Sequence, residues 1–350
     1  MYYNLSKLLF FIINHQKKVS AIAARSLESS KKFASIHNIP KYYGSYDQLL
    51  KDPEIDVVYI GSIADQHMTL ATKSLMAGKA TVVEKPLALS ANDVSKLIQL
   101  AKDQNVFFME GLWTRCFPAM KYVKEVISSG KVGDVSTVQG DFGWCTDGCE
   151  YPNHRFWNLE SGGMSYDIGM YMIHLGQVAY GSGNNVKQIQ AMGNMKHGVD
   201  HTILANIMYE VNNSNGKIKN RDGFLQFCLT GEANTEERVV IQGTKGRIII
   251  HPPAHVPNRV TVSYDTERGG SAESTKNDEG KLIEKDFSLP DDSYTTWNYP
   301  GSIGFTYQIQ DVNNALLNGE LECSSYTHED SLQIAKILDE ILCQLHNKKN

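Results

Sequence analysis

The sequence predicts an α/β protein of two domains, in which a parallel sheet flanked by helices is followed by an open, mainly antiparallel sheet. The chain has 350 residues, more than one ordinary hydrophobic core contains. Up to about residue 118, short apolar runs alternate with longer segments of helical periodicity, which is typical of β-α units. Beyond that point β-like segments follow one another with few helices between them. We therefore expect domains at residues 1–118 and 119–350.

The first half of the chain contains four predicted strands with helices between them. The strands are short apolar runs at 19–24, 56–60, 80–84 and 106–110. Helical spacing predicts helices at 27–37 and 66–77. A third helix begins at Ser90, where Asp93 three residues later is typical of a capped N-terminus. Four strands joined in this way make half of a doubly wound sheet.

The second half has the pattern of an antiparallel sheet. Strands are expected at 136–143, 201–210, 223–230, 238–242 and 247–251. A polar stretch at 268–280 is predicted to be an exposed loop. Helical spacing returns at 306–316 and 331–345, so we expect helices at the end of the chain.

Charge and cysteine usage narrow the classes of partner. A net charge of -5 provides no basic surface for nucleic acid or anionic lipid, so a small-molecule partner is favoured. Six scattered cysteines predict free thiols and a cytosolic protein, and Cys145 with Cys149, the one close pair, lacks the further ligands of a metal site. The apolar run at 8–13 is far shorter than the roughly 20 residues of a membrane helix.

Glu84-Lys85-Pro86 follows the strand at 80–84. The carboxyl ends of parallel strands are where doubly wound sheets bind ligands, so Lys85 is predicted to face the ligand crevice. The alternative is a solvated loop charge. The helix that leads to this strand begins with Gln66 and His67.

A second motif runs from Ser161 to Tyr171. Two glycines, Gly162 and Gly163, lead into a predicted helix and allow its backbone to approach a ligand closely. Asp167 and Tyr171 are four residues apart, which places an acid and a phenol on one helical face. The alternative is a buried helix in which Asp167 only forms local hydrogen bonds.

Both motifs resemble the glucose-fructose oxidoreductase and inositol dehydrogenase family. The run that ends in Glu84-Lys85-Pro86 is similar to the family's stretch ending in E-K-P, and the second motif resembles G-G-x-x-x-D-x-G-x-H with tyrosine as the last residue. The segment 109–118, MEGLWTRCFP, resembles M-E-A-x-W-T-R-F-F-P of the dimeric dihydrodiol dehydrogenases. Further similar stretches lie at 44–47, 59–61, 243–246 and 305–317. The resemblance implies a Rossmann-like first domain.

The resemblance implies that the chain oxidises a trans-dihydrodiol of an aromatic, or an aldose such as D-xylose, by hydride transfer to a nicotinamide. Such a reaction needs a base for the hydroxyl proton. A lysine cation favours the phenolate form of a nearby tyrosine. We predict Tyr171 as the proton acceptor and Lys85 as the cation beside it, and the opposite division of roles stays open. The other predicted site residues orient Lys85 or line the substrate pocket: Asp167, His67, Trp113 and Arg155.

The cofactor prediction depends on the end of the strand at 19–24. An acidic residue there favours NAD, whereas arginine accommodates the 2′-phosphate of NADP. Arg25 follows this strand and no acid does, so we predict NADP, with a solvated loop arginine as the alternative. The predicted cofactor-binding residues are Arg25, Ser26, Gly61, Glu84, Lys85 and Pro86.

The beginning of the sequence departs from the family pattern. A dinucleotide-binding domain begins with a strand, a glycine-rich turn and a helix, but Gly44 is the first glycine of this chain. We therefore expect the first strand and its turn to be missing, with residues 2–15 forming either a replacement helix or a substitute strand.

Two alternatives to the predicted activity remain open. The chain is either another sugar or inositol dehydrogenase, or an inactive relative that has lost cofactor binding. The resemblance also implies a homodimer through the open face of the antiparallel sheet, because an uncovered sheet needs a partner for its apolar face.

Overall fold

The structure is a computed structural model that describes residues 8–12, 18–183, 185–212, 218–264, 282–291 and 300–347. The chain divides into two compact units. The first unit combines Met1–Leu112 with Ile309–Lys336, and the second combines Trp113–Gln308 with Ile337–Asn350. The first unit thus includes a C-terminal segment that the sequence assigned to the second domain. The loop predicted at 268–280 lies outside the described residues.

The described part of the first unit alternates strands and helices, as expected for β-α units. Its strands are β1 Leu8–Ile12, β2 Lys18–Ala23, β3 Lys41–Tyr43, β4 Val57–Ile60, β5 Ala80–Glu84 and β6 Phe108–Gly111. Its helices are α1 Leu27–Ile36, α2 Tyr46–Leu50, α3 His67–Met76 and α4 Ala91–Gln104. The four predicted strands correspond to β2, β4, β5 and β6, whereas β3 and α2 were not predicted.

The N-terminal segment forms a strand, which decides between the two alternatives left open by the sequence. β2 pairs in parallel with β3, and β4, β5 and β6 form a second parallel ladder. β1 pairs with β2, with Leu8 opposite Ala23, but runs antiparallel to it, and its other side lies against β4. The strand expected to be missing is therefore replaced by one of opposite direction.

Buried apolar runs and capped helices explain why these elements form. Ile60, Val83, Leu97 and Phe108 are among the fully buried side chains of the core that the strands share with the helices. Burial of such side chains contributes about 1.5–3 kcal/mol each. Oγ of Ser90 accepts a hydrogen bond from the backbone N–H of Asp93 at 3.1 Å, so α4 begins where the sequence predicted.

The second unit contains an eight-stranded sheet in the order β14-β13-β12-β11-β7-β10-β9-β8. Neighbouring strands are antiparallel except for β7 and β10. This confirms the mainly antiparallel second sheet. The strands are β7 Val135–Gly143, β8 Val186–Lys196, β9 Val199–Asn212, β10 Ile218–Thr230, β11 Val239–Gly243, β12 Gly246–Ile250, β13 Arg259–Tyr264 and β14 Leu282–Asp286.

Helices cover one face of this sheet. Helix α5 spans Pro118–Ser128, and α6, Met170–Tyr180, is apolar nearly all round and packs on β7, β9 and β10. The terminal helices α7 and α8, Phe305–Leu317 and His328–Asn347, were both predicted. The opposite sheet face exposes apolar side chains, including Met192 and its cross-strand partner Leu204. We call it the open face.

Two further properties of the structure concern membrane-spanning helices and the cysteines. Within the described ranges no helix is long and apolar enough to cross a bilayer. All six cysteines are described, and each is a free thiol.

Candidate functional site

Lys85 lies in a short loop immediately after β5. Its side chain is half-buried. Its backbone N–H donates to Oε2 of Glu84 at 3.2 Å, and the other carboxylate oxygen of Glu84 accepts a hydrogen bond from the Tyr59 hydroxyl. Burial raises the pKa of Glu84. The predicted residues Glu84, Lys85 and Pro86 therefore form a loop that is anchored from the preceding strands.

His67 holds the same loop from its other side. Nδ1 of His67 is 2.7 Å from the carbonyl oxygen of Pro86, and Nε2 is 3.0 Å from that of Ser62, next to Gly61. Burial lowers the pKa of His67, and a neutral ring has one N–H, so it donates to only one of these two carbonyl oxygens. With 1% of its surface exposed, His67 positions the backbone on which Lys85 lies. Its predicted contact with substrate stays a prediction.

Glu110, at the end of β6, supports the loop at a third point. Its Oε1 accepts the backbone N–H of Leu87 at 2.9 Å, and its Oε2 accepts the hydroxyl of Tyr326 at 3.3 Å. Burial raises the pKa of Glu110 to about 7, and the negative charge of Glu84 contributes in the same direction. The sequence did not indicate this residue as part of the site.

Glu110→Gln is expected to remove a pH dependence of stability between about pH 4.3 and pH 7. The folded-state pKa of about 7 lies above the value of about 4.3 for an exposed glutamate. The folded chain holds the proton of Glu110 more tightly than the unfolded chain does. The free energy of unfolding therefore decreases by about 1.4 kcal/mol per pH unit between about pH 4.3 and pH 7, and it is constant above about pH 7. The variant should gain stability relative to the unmodified chain as pH rises.

Urea denaturation at about pH 5 and about pH 8 measures this difference. Glu125→Gln is the matched control, because Glu125 lies exposed on α5, and its effect on stability should be the same at both pH values. An effect of Glu110→Gln that is equally large at both pH values would contradict the proposed burial of an acid with a raised pKa.

In the second unit, Tyr171 is hydrogen-bonded to a second predicted residue. The indole Nε1 of Trp113 donates to the hydroxyl oxygen of Tyr171 at 3.1 Å, and both side chains are buried. Tyr171 is in the first turn of α6. The preceding turn, Ser165–Gly169, is a π-helix, so Asp167 and Tyr171 are not related by the regular α-helical spacing that predicted a shared face. Such π-turns are frequent at functional sites.

Asp167 and Arg155 join the same cluster. Nη1 of Arg155 donates to Oδ1 of Asp167 at 2.8 Å; the Arg155 side chain is 56% exposed and that of Asp167 is 9% exposed. The charge of Asp167 is the main cause that raises the pKa of Arg155, and Tyr171 adds to it. The second unit therefore groups Trp113, Arg155, Asp167 and Tyr171, while Lys85 and His67 belong to the first unit. The catalytic roles of these residues stay predictions.

The two motif glycines allow the chain to pack closely against itself, and their predicted approach to a ligand stays a prediction. A Cβ on Gly162 would lie 2.1 Å from the carbonyl oxygen of Phe156 and 2.6 Å from that of Asn158. A Cβ on Gly163, whose φ is +90°, would lie 2.3 Å from Oδ1 of Asp200. Only glycine permits these approaches. Oδ2 of Asp200 also accepts the N–H of Ser165 at 2.7 Å, which anchors the π-helical turn.

Sequence reasoning missed His255 and Glu237. The ring of His255 lies 5.7 Å from that of Tyr171 and 6.4 Å from that of Trp113, centroid to centroid. His255 is in the loop between β12 and β13, and Glu237 precedes β11. Neither residue belongs to a periodic segment or a spaced motif. The only signal in the sequence is a histidine within a short proline-rich stretch, HPPAHVP.

The predicted ribose-binding residues follow β2. Arg25 is exposed, and Ser26 caps α1 by accepting the backbone N–H of Ser29 at 3.2 Å. Gly61 follows β4 in the same way that Lys85 follows β5. Because β2, β4 and β5 run in parallel within their ladders, these residues all lie at carboxyl ends of strands, where doubly wound sheets bind ligands.

Similarity to known proteins covers nearly the whole chain. Residues 6–112 match an oxidoreductase family with an NAD-binding Rossmann fold, and residues 120–249 match the GFO/IDH/MocA C-terminal domain. The trans-1,2-dihydrobenzene-1,2-diol dehydrogenase of Sus scrofa is 31% identical over 327 residues, which are 93% of this chain and 88% of that protein. The chain belongs to the GFO/IDH/MocA oxidoreductase family. The Xenopus laevis protein of the same name is 35% identical over 337 residues, 95% of this chain and 91% of that protein.

Two solved structures share the fold of this chain. Levoglucosan dehydrogenase in complex with NADH and L-sorbose has a TM-score of 0.75 at 19% identity, over 94% of this chain and 87% of that chain. Aldose-aldose oxidoreductase from Caulobacter crescentus has a TM-score of 0.73 at 17% identity, over 95% of this chain and 90% of that chain. At these identities the likeness establishes the fold alone, and it confirms the Rossmann-like domain followed by an open sheet.

The described residues fit one part of a dinucleotide and not another. Arg25 is exposed after β2, where a guanidinium accommodates a 2′-phosphate. The pyrophosphate of a Rossmann-bound dinucleotide lies at a glycine-rich turn that leads from the first strand into a helix. Here residues 13–17, none of them glycine, connect β1 directly to the antiparallel β2. Residues 1–43 contain no glycine, so the glycine-rich turn of that pattern is not among them.

Proposed function

We propose that this chain is an NADP-dependent oxidoreductase that oxidises a trans-dihydrodiol of an aromatic or an aldose such as D-xylose. The family assignment supports the reaction class. The names of the relatives, trans-1,2-dihydrobenzene-1,2-diol dehydrogenases that are 31% and 35% identical over more than nine-tenths of the chain, support the substrate class. We further propose that the protein acts in the cytosol.

The observation that carries the proposal is the cluster around Tyr171. Its hydroxyl oxygen accepts the Trp113 N–H, and the Arg155 guanidinium adds positive charge nearby. The donated N–H stabilises a phenolate more than a phenol, which suits Tyr171 to accept the proton of a substrate hydroxyl, whereas the charge of Arg155 is balanced by its partner Asp167. Asp167 holds Arg155, and Lys85 supplies a further cation for the same proton transfer. NADP, when bound, supplies the nicotinamide ring that accepts a hydride.

The preference for NADP over NAD depends on Arg25. Arg25 follows β2 and directly precedes Ser26, the cap of α1, so no acidic residue ends this strand. The comparison proteins include one solved with NADH and one solved with NADP, so they support either nucleotide. We expect a Michaelis constant for NADP at least about tenfold below that for NAD, since one charge-assisted phosphate contact contributes about 1.5–3 kcal/mol. A preference for NAD would reverse the assignment.

One observation favours a second candidate function, that of a relative without catalytic activity. β1 runs antiparallel to β2, and residues 1–43 contain no glycine and hence no glycine-rich turn for the pyrophosphate. The deciding experiment is a fluorescence titration of the 350-residue chain with NADPH, followed by oxidation assays with NADP and D-xylose or trans-benzene dihydrodiol. Saturable NADPH binding with turnover of either substrate supports the oxidoreductase. Absence of NADPH binding supports the inactive relative, and turnover only of another sugar or an inositol supports the remaining alternative.

We also propose that the protein is a homodimer through the open face. Leu204 is 48% exposed there and Phe224 is 45% exposed, and an apolar sheet face of this kind is stabilised by a second copy of the chain. Light scattering should give the mass of two chains, and Leu204→Glu should give that of one. Leu159→Glu is the control, because Leu159 is 74% exposed in a loop outside the sheet. A monomeric unmodified chain would exclude the homodimer.

A further inference from the structure

A histidine with no part in the proposed proton transfer lies beside Tyr171 and is paired with a glutamate. Nδ1 of His255 is 2.5 Å from Oε2 of Glu237. The His255 ring stacks on Phe142 with centroids 4.9 Å apart and lies 5.7 Å from the ring of Tyr171. All four residues belong to the second unit, so His255 is part of the cluster around the proposed proton acceptor.

The backbone around this pair is held in place. The carbonyl oxygen of His255 accepts the hydroxyl of Thr114 at 2.6 Å. Glu237 has a φ of +58°, which is unfavourable for a residue with a Cβ by roughly 1–2 kcal/mol. Its N–H donates to Oδ2 of Asp141 at 3.1 Å, and its carbonyl oxygen accepts the N–H of Ala254 at 3.1 Å. These contacts maintain a conformation that is typical of functional residues.

The carboxylate of Glu237 determines which nitrogen of His255 carries the proton. A carboxylate only accepts hydrogen bonds, so Nδ1 must be the protonated nitrogen, and Nε2 of a neutral ring is then an acceptor. Among the residues that the structure describes, none forms a hydrogen bond with this Nε2. The His255 side chain is 22% exposed. When the ring is neutral, the site therefore contains an acceptor nitrogen in a partly exposed ring whose centroid lies 5.7 Å from that of Tyr171.

We propose that His255, oriented by Glu237, binds the second hydroxyl group of a substrate whose first hydroxyl group is bound by Tyr171. The second hydroxyl donates a hydrogen bond to Nε2, while the rings of Phe142 and Trp113 contact the carbon skeleton. The ligand class is a cyclic compound with hydroxyl groups on adjacent carbons. This inference rests on the proposed function, because it adds a binding residue for the diol already proposed as the substrate of the same site.

The test compares a diol with a matched monohydroxyl compound. The full chain is titrated with trans-cyclohexane-1,2-diol and with cyclohexanol, and the ¹⁵N shifts of the His255 ring are followed. We expect the diol to shift the Nε2 signal and to bind about tenfold more tightly than cyclohexanol, the effect of one hydrogen bond. His255→Phe keeps a ring against Phe142 but lacks Nε2, so it should weaken diol binding about tenfold and change cyclohexanol binding less than about twofold.

Two further variants test whether diol binding depends specifically on the tautomer of His255. In Glu237→Gln the side-chain amide can donate to Nδ1, which moves the ring proton to Nε2 and converts the acceptor into a donor. We expect the ¹⁵N spectrum to report this change of tautomer and diol binding to weaken. His251→Phe is the control, because His251 bonds to Thr261 at 2.7 Å in the neighbouring strands. Its diol affinity should be that of the unmodified chain.

The outcomes distinguish this inference from the proposed function. If NADP-linked oxidation is absent but the diol still shifts the His255 signal selectively, the oxidoreductase proposal fails and the hydroxyl-binding pair stands. If oxidation occurs but His255→Phe weakens both ligands equally, or the diol leaves the Nε2 signal unchanged, the hydroxyl-binding pair is overturned.

Discussion

Tyr171→Phe should lower the turnover number for dihydrodiol or aldose oxidation by about 10²- to 10⁴-fold, the usual contribution of a positioned proton acceptor. The variant keeps the ring that lies 5.7 Å from Phe142 and removes only the hydroxyl. It leaves the indole N–H of Trp113 without its 3.1 Å acceptor, which should cost about 1–3 kcal/mol of stability. Initial rates with NADP at saturating substrate, together with a thermal melt, measure both effects.

Two further variants test whether the effect is specific to Tyr171 and whether Lys85 is the proton acceptor instead. Tyr151→Phe is the control, because Tyr151 is a 53% exposed tyrosine that stacks on His197, and its turnover should be unchanged. Lys85→Met removes the proposed assisting cation. Near-normal turnover in Tyr171→Phe combined with complete loss in Lys85→Met would reassign the proton acceptor to Lys85.

Gly162→Ala should lower the free energy of unfolding by about 3 kcal/mol, a value typical of strong overpacking. The added methyl group would lie 2.1 Å and 2.6 Å from two backbone carbonyl oxygens, those of Phe156 and Asn158. Backbone atoms in a hydrogen-bonded turn do not move aside cheaply, and the N–H of Gly162 itself donates to the Asn158 carbonyl at 2.8 Å. Chemical denaturation of both proteins gives the difference directly.

Gly148→Ala is the matched control. No heavy atom lies within 4 Å of a Cβ at this position, and the residue is not in the left-handed region. We expect its stability to be unchanged or slightly increased, because alanine restricts the unfolded chain. If Gly162→Ala were as stable as Gly148→Ala, the close approach of the 156–158 backbone to this glycine would be disproved.

Most secondary structure is evident from local patterns. The apolar run at 80–84 is β5, and Ser90 begins α4, because burial of one face and capping of a helix are properties of neighbouring residues. Two of the missed elements, β3 and β8, lack such a pattern, whereas α5 and β13 have one and were nevertheless not predicted. β3 has three residues, and β8 lies at a sheet edge where most side chains are exposed. An edge strand with two exposed faces has no apolar alternation to detect.

The sequence by itself determined the family, the two-sheet class and the identity of the motif residues Lys85, Trp113, Asp167 and Tyr171. It also excluded a glycine-rich turn before Gly44. These conclusions follow from residue types and spacings along short stretches of chain, which folding does not alter.

Only the tertiary structure decided the direction of β1, the close packing around the motif glycines and the presence of His255, paired with Glu237, beside Tyr171. Residue 162 must be glycine because a Cβ there would clash with the backbone carbonyl oxygen of Phe156. His255 contacts Tyr171 although more than eighty residues separate them in the sequence. The direction of a strand and the contacts between residues distant in sequence depend on which surfaces pack together. Side-chain periodicity shows whether a residue is buried, but not which residues it is buried against.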